Sequence, residues 1–356
     1  MYVILYLQIF KGDAMKKFLL FLFTALTFCF MTGCGERKMS DEEIQRKVDA
    51  LYEKAMSELE RGNLKSSEQY LLDILPLHDL LSEQNPYRLI VYFEGNQRIG
   101  FLKYHLQEYQ GAVEYLEKAI AVNPEDFEHQ IVESVRRQIL ENWIALASAY
   151  DKLGHKQNSD FYLGQAEKQI LQLEKAEPEK DDNIYNIFIH YYVERGKISL
   201  NRDLYNDALR FFIKTLDYFH KQNEPHQPYL AGTYYYLSLT YEKLRNYDKT
   251  IEMAQKAVDI SLTEKIFFRR AYLFLMQMYE KDLNYEDALS YSEKCLFKLD
   301  ETSYNASYYK AVIYDEISRL ALKSKQESIV REARKNAEYY RSIASPEASI
   351  MPYDLF

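Results

Sequence analysis

The chain is poor in residues that interrupt regular structure. Its 356 residues include only 11 glycines and 8 prolines. Folds built from strands and tight turns need these residues at short intervals, so their scarcity argues against a sandwich or a barrel. Apolar residues recur instead at spacings of three and four, which predict amphipathic helices. Even the run Tyr234-Tyr235-Tyr236, which suits a strand by propensity, lies within such a pattern.

Residues and motifs that carry chemistry are also sparse. The 7 histidines form no pair at the spacing that would place two metal ligands on one helix face. Neither a glycine-rich phosphate loop nor a nucleophile elbow occurs. We therefore expect no catalysis, no metal site and no cofactor.

Positive charge is in deficit. The chain has 45 lysines and arginines against 54 aspartates and glutamates, a formal net charge of -9. Its basic side chains gather in no stripe along the sequence. An acidic chain is repelled by phosphate backbones, so nucleic acid is not expected as a partner.

The N-terminal residues carry a targeting pattern. Lys16 and Lys17 precede an apolar run from Phe18 to Met31, which is typical of a secretory signal. The run is too short to span a bilayer comfortably. We interpret residues 15–33 as a signal peptide and residues 1–14 as a misannotated extension; a plain signal peptide or a poor membrane helix stays open.

The residues Met31-Thr32-Gly33-Cys34 resemble the cleavage site of bacterial lipoproteins, although Met31 stands where leucine is usual. In those proteins the cysteine becomes the lipidated N-terminus. The resemblance implies acyl chains, palmitate among them, on Cys34. It also implies a membrane-anchored lipoprotein of a Gram-negative cell envelope, either periplasmic or surface-exposed. Each buried acyl CH₂ contributes roughly 0.8 kcal/mol, so two or three chains form a stable anchor.

Residues 34–43 are predicted to be a tether. Ser40 followed by Asp41-Glu42-Glu43 is typical of a helix start, with serine as the cap and acids near the positive end of the dipole. The same residues loosely resemble export signals of surface lipoproteins in Bacteroidetes-like bacteria. Of the other cysteines, Cys29 leaves with the signal and Cys295 is alone. We expect Cys295 to be a buried apolar residue, without a disulfide.

A short phrase recurs along the chain. Tyr150-Asp151-Lys152, Tyr241-Glu242-Lys243 and Tyr279-Glu280-Lys281 each follow an apolar run and precede a second helical pattern. A small unit that is copied along a chain must bury its apolar face against its neighbours. The phrase therefore predicts an all-α solenoid of helical hairpins.

The units resemble tetratricopeptide repeats. The fullest match is Trp143, Leu146, Ala147, Tyr150, Gly154, Ser159, Leu163 and Ala166. The resemblance implies a right-handed superhelical solenoid of about seven hairpins over residues 44–345, followed by a C-terminal tail at 346–356. Small residues on the second helices fall at Ser67, Ala112, Ser159, Ala208, Thr250, Ala288 and Ile329. Their spacing exceeds the usual 34 residues, which predicts longer first helices and linkers. The stretch from Glu174 to Asn183 is expected to be a flexible joint.

The resemblance also implies that the first helix of each hairpin lines a concave face. The carried-over groove positions are Lys152, Lys197, Asn201, Tyr235, Leu239, Lys243, Gln277 and Lys281. In that family, basic and amide residues clamp a peptide's carboxylate or backbone. In the alternative interpretation, the lysines of the phrase pair with the acids beside them on a solvated surface.

These observations predict a lipid-anchored scaffold that binds a protein or peptide through its concave face. A carbohydrate-capture lipoprotein is one alternative, although the large insertions of such proteins are absent. A peptide-sensing component of an envelope signalling system is another.

Overall fold

The computed structural model describes residues 39–61, 63–176, 182–223, 225–264, 267–299 and 305–344. The predicted signal peptide, Cys34 and the predicted C-terminal tail lie outside these ranges. Within them the chain forms 14 α-helices and no strand, so the all-α prediction is confirmed. No helix in the described ranges combines the length and the apolar character that crossing a bilayer requires.

The helices pair in chain order into seven hairpins, as expected. The pairs are α1 (Asp41–Glu60) with α2 (Leu64–Ile74), α3 (Tyr87–His105) with α4 (Tyr109–Ile120), α5 (Val132–Lys152) with α6 (Lys156–Ala176), α7 (Asp182–Asn201) with α8 (Tyr205–Phe219), α9 (Gln227–Lys243) with α10 (Tyr247–Thr263), α11 (Arg269–Lys281) with α12 (Tyr285–Lys298), and α13 (Ala306–Lys323) with α14 (Glu327–Ile343). Short 3₁₀ helices occupy Leu75–Leu80 and Pro124–Asp126. The first helices of hairpins one to four have 19 to 21 residues, which accounts for much of the repeat length beyond the usual 34 residues.

Helix α1 begins with the cap that the sequence predicts. The Ser40 hydroxyl accepts a hydrogen bond from the Glu43 backbone at 3.2 Å, and the Glu43 carboxylate accepts one from the Ser40 backbone at 2.9 Å. This reciprocal pair is a capping box. The Asp41 carboxylate in turn accepts hydrogen bonds from Ser82 and Asn85, which ties the start of α1 to the linker that precedes α3.

The turns inside hairpins two to seven share one geometry. A residue of positive φ stands two places before the second helix at Gln107, Gly154, Asp203, Arg245, Leu283 and Lys325. The backbone N–H of the next residue then donates to a carbonyl five residues earlier, as in the Schellman motif. Three of those carbonyls belong to Tyr150, Tyr241 and Tyr279, each at 2.9 Å. The tyrosine of the recurring phrase therefore marks the end of a first helix.

Small residues hold the two helices of a hairpin close together. The fourth residue of each second helix is buried: Ser67, Ala112, Ser159, Ala208, Thr250, Ala288 and Val330. The sequence prediction of Ile329 in the last hairpin is wrong by one residue, because the periodicity there is weak and α14 begins at Glu327. On the first helices, Gly196 faces the ring of Phe212 with no room for a side chain.

Cys295 is fully buried on α12, as the sequence predicts. Burial raises the pKa of its thiol to about 12, with Asp259 adding to the shift. The thiol is therefore protonated at neutral pH, and the residue serves as part of the core.

The predicted joint at Glu174–Asn183 needs correction at both ends. Helix α6 continues to Ala176 and α7 begins at Asp182, so only residues 177–181 lie outside the described helices. Glu174 is a helical residue whose carboxylate accepts hydrogen bonds from the hydroxyls of Tyr192 and Tyr218. The ammonium of Lys214 lies 3.0 Å from the same carboxylate. Glu174 thus fastens α6 to α7 and α8 and does not belong to a linker.

Candidate ligand-binding groove

The first helices of hairpins two to five share an inner surface. Residues at spacings of three and four on α3, α5, α7 and α9 line a cavity of about 70 Å³: Phe101, Tyr104, His105, Ala145, His190, Val193, Glu194, Lys197, Tyr229, Gly232, Thr233 and Tyr236. Phe101 and His105 also border a wider cavity of about 460 Å³ between α1, α2, α3 and α5. We call the first of these the central cavity, and we call the two cavities together the inner groove.

A charged pair lies at the centre of the inner groove. The Nζ of Lys197 is 2.6 Å from Oε1 of Glu194, one turn earlier on α7. The other carboxylate oxygen accepts hydrogen bonds from Ser148 at 2.6 Å and from Tyr104 at 3.2 Å. Tyr104 and Ser148 are themselves 2.7 Å apart. Three successive first helices therefore meet at one carboxylate.

The surroundings fix the protonation of this pair. Burial alone would raise the pKa of Glu194, but the Lys197 ammonium, His190 and the hydrogen bonds outweigh it, so the pKa is lowered. Burial would likewise lower the pKa of Lys197, yet Glu194 raises it well above its ordinary value. Burial lowers the pKa of His190, which keeps that imidazole neutral at pH 7. The ammonium of Lys197 also lies 5.6 Å from the centre of the Tyr236 ring, within cation–π range.

Helix α5 carries two further charges, one in the inner groove and one beside it. Glu141 is half-buried in the wider cavity, and Lys152 is exposed at the other end of the helix and lines neither cavity. Neither side chain has an ion-pair partner among the described residues. Burial raises the pKa of Glu141, while burial and the nearby Lys197 lower the pKa of Lys152.

The acids of the recurring phrase bond forward along the solenoid. Asp151 accepts from Arg202 at 2.7 Å, and Glu242 accepts from Lys281 at 2.9 Å. Glu280 pairs in the same way with Arg319. Lys281 and Arg319 lie on the first helix of the next hairpin, and Arg202 lies one residue beyond the end of α7. The acids therefore link neighbouring hairpins, and the predicted pairing of adjacent residues holds only for Lys243, which lies 3.5 Å from Glu242.

The structure brings two of the predicted groove residues together and places the others elsewhere. Lys197 lines the central cavity. Lys152 lies close to Lys197, and burial together with that charge lowers the pKa of Lys152. Asn201 donates to Asp151 at 3.3 Å, at the end of α7. Lys243 and Lys281 share Glu242 in a pair that leaves each lysine side chain about half exposed.

The remaining predicted residues lie on hairpins five and six, beyond the central cavity. Tyr235 packs on Phe268 and Phe274, with ring centres 5.1 Å and 6.1 Å away, and so faces α11. Leu239 is half-buried and Gln277 is exposed. Tyr236, the next residue along the helix, lines the central cavity instead.

Sequence reasoning missed the acid at the centre of the groove. Glu194, His190, Tyr229 and Tyr236 were not singled out, nor was Glu141 on α5. Their spacing was visible, because Glu194 stands three residues before Lys197 and Tyr236 seven after Tyr229. Within the described ranges, no group of three or more histidines, cysteines and acids could hold a metal ion.

Seven stacked hairpins whose first helices share an inner surface define a helical repeat solenoid. A family model described as tetratricopeptide repeat matches residues 93–126, 140–169 and 231–263, within hairpins two, three and five. The chain therefore carries tetratricopeptide repeats. No curated protein sequence matches it.

Solved structures resemble the chain in fold. The Rap conjugation gene regulator of the plasmid pLS20, solved in complex with the Phr* peptide, aligns with a TM-score of 0.51 at 13% identity, covering 97% of this chain and 89% of that one. A tetratricopeptide repeat protein from Parabacteroides merdae gives 0.43 at 16% identity, covering 87% of this chain and 100% of its own. BtubC from P. vanneervenii gives 0.46 at 13% identity, covering 66% and 89%.

Proposed function

We propose that this protein is a lipid-anchored scaffold that binds a protein or peptide segment in its inner groove and carries out no catalysis. The observation that carries the proposal is the groove itself, where four first helices surround a cavity that contains one buried charge pair. Glu141 in the wider cavity and the exposed Lys152 nearby have no ion-pair partner among the described residues, and charges left without partners favour a ligand that supplies opposite charges.

The shape of the groove supports the same proposal. Gly232 lies on its wall, and a Cβ atom added there would meet nothing within 4 Å. Aromatic side chains and the neutral imidazole of His190 lie among the charged groups, a mixture suited to both the apolar and the polar parts of a peptide. The Rap regulator noted above holds a peptide, and its likeness in fold agrees with a peptide-binding role.

Filling the cavity tests the role of the groove. Gly232→Leu should place a side chain in the cavity and leave the fold intact, since the space is open. The matched control is Gly164→Leu on α6, where a Cβ also meets nothing but the surface is exposed. In affinity purification from native membranes, we expect partners to be retained by wild type and Gly164→Leu and lost with Gly232→Leu. Identical partners on all three proteins would contradict the proposal.

The lipid anchor rests on the leader sequence. We propose that Cys34 is acylated and holds the solenoid on a membrane of a Gram-negative cell envelope, facing the periplasm or the outside. Labelled palmitate should enter the wild-type chain and not Cys34→Ser. Cys295→Ser is the control, because that thiol is buried and should not affect labelling. Persistent labelling of Cys34→Ser would refute the anchor.

Lys243 and Lys281 are proposed to contact a ligand that extends beyond the central cavity. Each keeps an ammonium that is about half exposed while sharing Glu242, so donor capacity remains. Replacing both by glutamate should weaken ligand capture. Unchanged binding by that double variant would confine the ligand to the central part of the groove.

A further inference from the structure

The inner face of α5 carries charge of opposite sign at its two ends. Glu141, Ala145, Ser148 and Lys152 follow at spacings of four, three and four residues and so share one face of the helix. Eleven residues of α-helix put the two charged residues about 16 Å apart along the axis. Ala145 lines the central cavity and Ser148 hydrogen-bonds to Glu194, which places this face toward the groove.

Glu141 and Lys152 differ from other charges on the first helices because they have no counterion. In and near the inner groove, Glu194 is paired with Lys197 and Arg98 with Glu94, and further along the solenoid Glu242 is paired with Lys281. Glu141 and Lys152 have no ion pair with any part of the chain that the structure describes. Asp151, beside Lys152, is engaged by Arg202 and directs its carboxylate to the next hairpin.

We infer that the inner groove, together with the adjoining end of α5, selects an extended peptide segment with one cationic and one anionic side chain about 16 Å apart, the cation at Glu141 and the anion at Lys152. The inference rests on the proposed function and adds to it the charge pattern and the orientation of the bound segment. An extended chain rises about 3.3 Å per residue, so the two charged residues would be separated by about four others.

The inference can be tested with peptides whose only charges are those two side chains. End-capped peptides are prepared with two fixed positions and a randomised, uncharged stretch of about four residues between them, as the spacing requires. The mixed-charge pool has Lys and Glu at the fixed positions, in both orders. The double-lysine, double-glutamate and neutral pools have Lys twice, Glu twice and Gln twice. Retention on the detergent-solubilised full chain is measured by mass spectrometry.

We expect the wild type to retain the mixed-charge pool about tenfold better than the neutral pool, because charge-assisted contacts in a partly enclosed groove are strong. Glu141→Lys should then prefer the double-glutamate pool, and Lys152→Glu the double-lysine pool. Glu133→Lys on α5 and Lys168→Glu on α6 change exposed charges elsewhere and should keep the wild-type preference. Circular dichroism and thermal melting establish that all four variants are folded.

The outcomes separate this inference from the proposed function. Equal retention of all pools, with loss of retention in Gly232→Leu, would overturn the charge pattern and leave the peptide-binding groove standing. Unchanged preferences in Glu141→Lys and Lys152→Glu would do the same. Retention of no pool by any folded variant would overturn both.

Discussion

Glu194 and Lys197 form an ion pair on one turn of α7, with side chains that are only 7% and 12% exposed. Moving two charges out of water costs several kcal/mol per ion, and their mutual attraction offsets that cost only when the hydrogen bonds are complete. Here Ser148 and Tyr104 complete the coordination of the carboxylate. A pair of apolar residues would stabilise the fold as well as this ion pair does. We therefore interpret the ion pair as a fixed polar surface for a ligand in the groove.

Breaking this pair on one side should be costly. Glu194→Gln keeps an acceptor for Ser148 and Tyr104 but leaves the Lys197 ammonium enclosed without a counterion. We expect the free energy of unfolding to fall by about 3 kcal/mol. The double variant Glu194→Gln/Lys197→Gln removes both charges and should recover most of that loss. Urea unfolding followed by circular dichroism measures both effects.

The control for this experiment is Glu133→Gln, which removes an exposed acid from α5. Its effect should stay within about 0.5 kcal/mol, as for most surface changes. If Glu194→Gln cost no more than the control, or if the double variant were less stable than the single one, the pair would not be the enclosed unit described here.

The same pair predicts how stability depends on pH. The folded-state pKa of Glu194 is lowered from its ordinary 4.5, so its contribution is present in full above that value. The contribution is lost as the pH falls through the lower folded-state pKa. Between about pH 5 and pH 3, the melting temperature of the wild type should therefore fall more steeply than that of Glu194→Gln/Lys197→Gln. Parallel curves for the two proteins would refute the assignment.

Much of the fold could be predicted from the sequence, because the recurring tyrosine has a fixed structural place. The carbonyls of Tyr150, Tyr241 and Tyr279 accept the hydrogen bonds of the Schellman turns, and a local motif of that kind produces a recurring sequence pattern. The ion pairs between successive hairpins produce no such pattern. Asp151 reaches Arg202 across 51 residues, whereas Glu242 reaches Lys281 across 39. Linker and helix lengths differ between hairpins, so no constant spacing indicates the partner.

The candidate site was harder to predict than the fold. Tyr235 and Tyr236 are neighbours in sequence, but about 100° of helix rotation separates them. One packs on α11 and the other lines the cavity. Their different places depend on how α9 is rotated against its neighbours, and tertiary packing determines that rotation. Lys197 was found because its position in the repeat was carried over, whereas its partner Glu194 stood outside the positions considered.

The hairpin turns offer a test of backbone strain. Leu283 has φ of 54° and is 72% exposed, so little side-chain packing offsets the strain of the left-handed region. Glycine adopts that conformation freely, and Leu283→Gly should raise the free energy of unfolding by about 0.5–1 kcal/mol. Gly154 occupies the equivalent place with φ of 79°, and Gly154→Ala should lower it by a similar amount. Thermal melting of both variants checks the opposite signs; a destabilised Leu283→Gly would contradict this account of the turn.

The close approach of α7 and α8 should make Gly196 sensitive to one added methyl group. A Cβ at this position would lie 2.5 to 2.8 Å from three ring atoms of Phe212, a fully buried side chain that has little room to shift. We expect Gly196→Ala to lower the free energy of unfolding by about 1–3 kcal/mol through overpacking. Gly164→Ala on α6 is the matched control: the new methyl group meets nothing, and the change should stabilise the helix by about 0.5–1 kcal/mol. Both variants replace a helical glycine by alanine, so the intrinsic effect on the helix is the same. Shifts of opposite sign in the urea midpoint would therefore report the effect of packing against Phe212. Equal shifts would show that the two helices can separate at no cost.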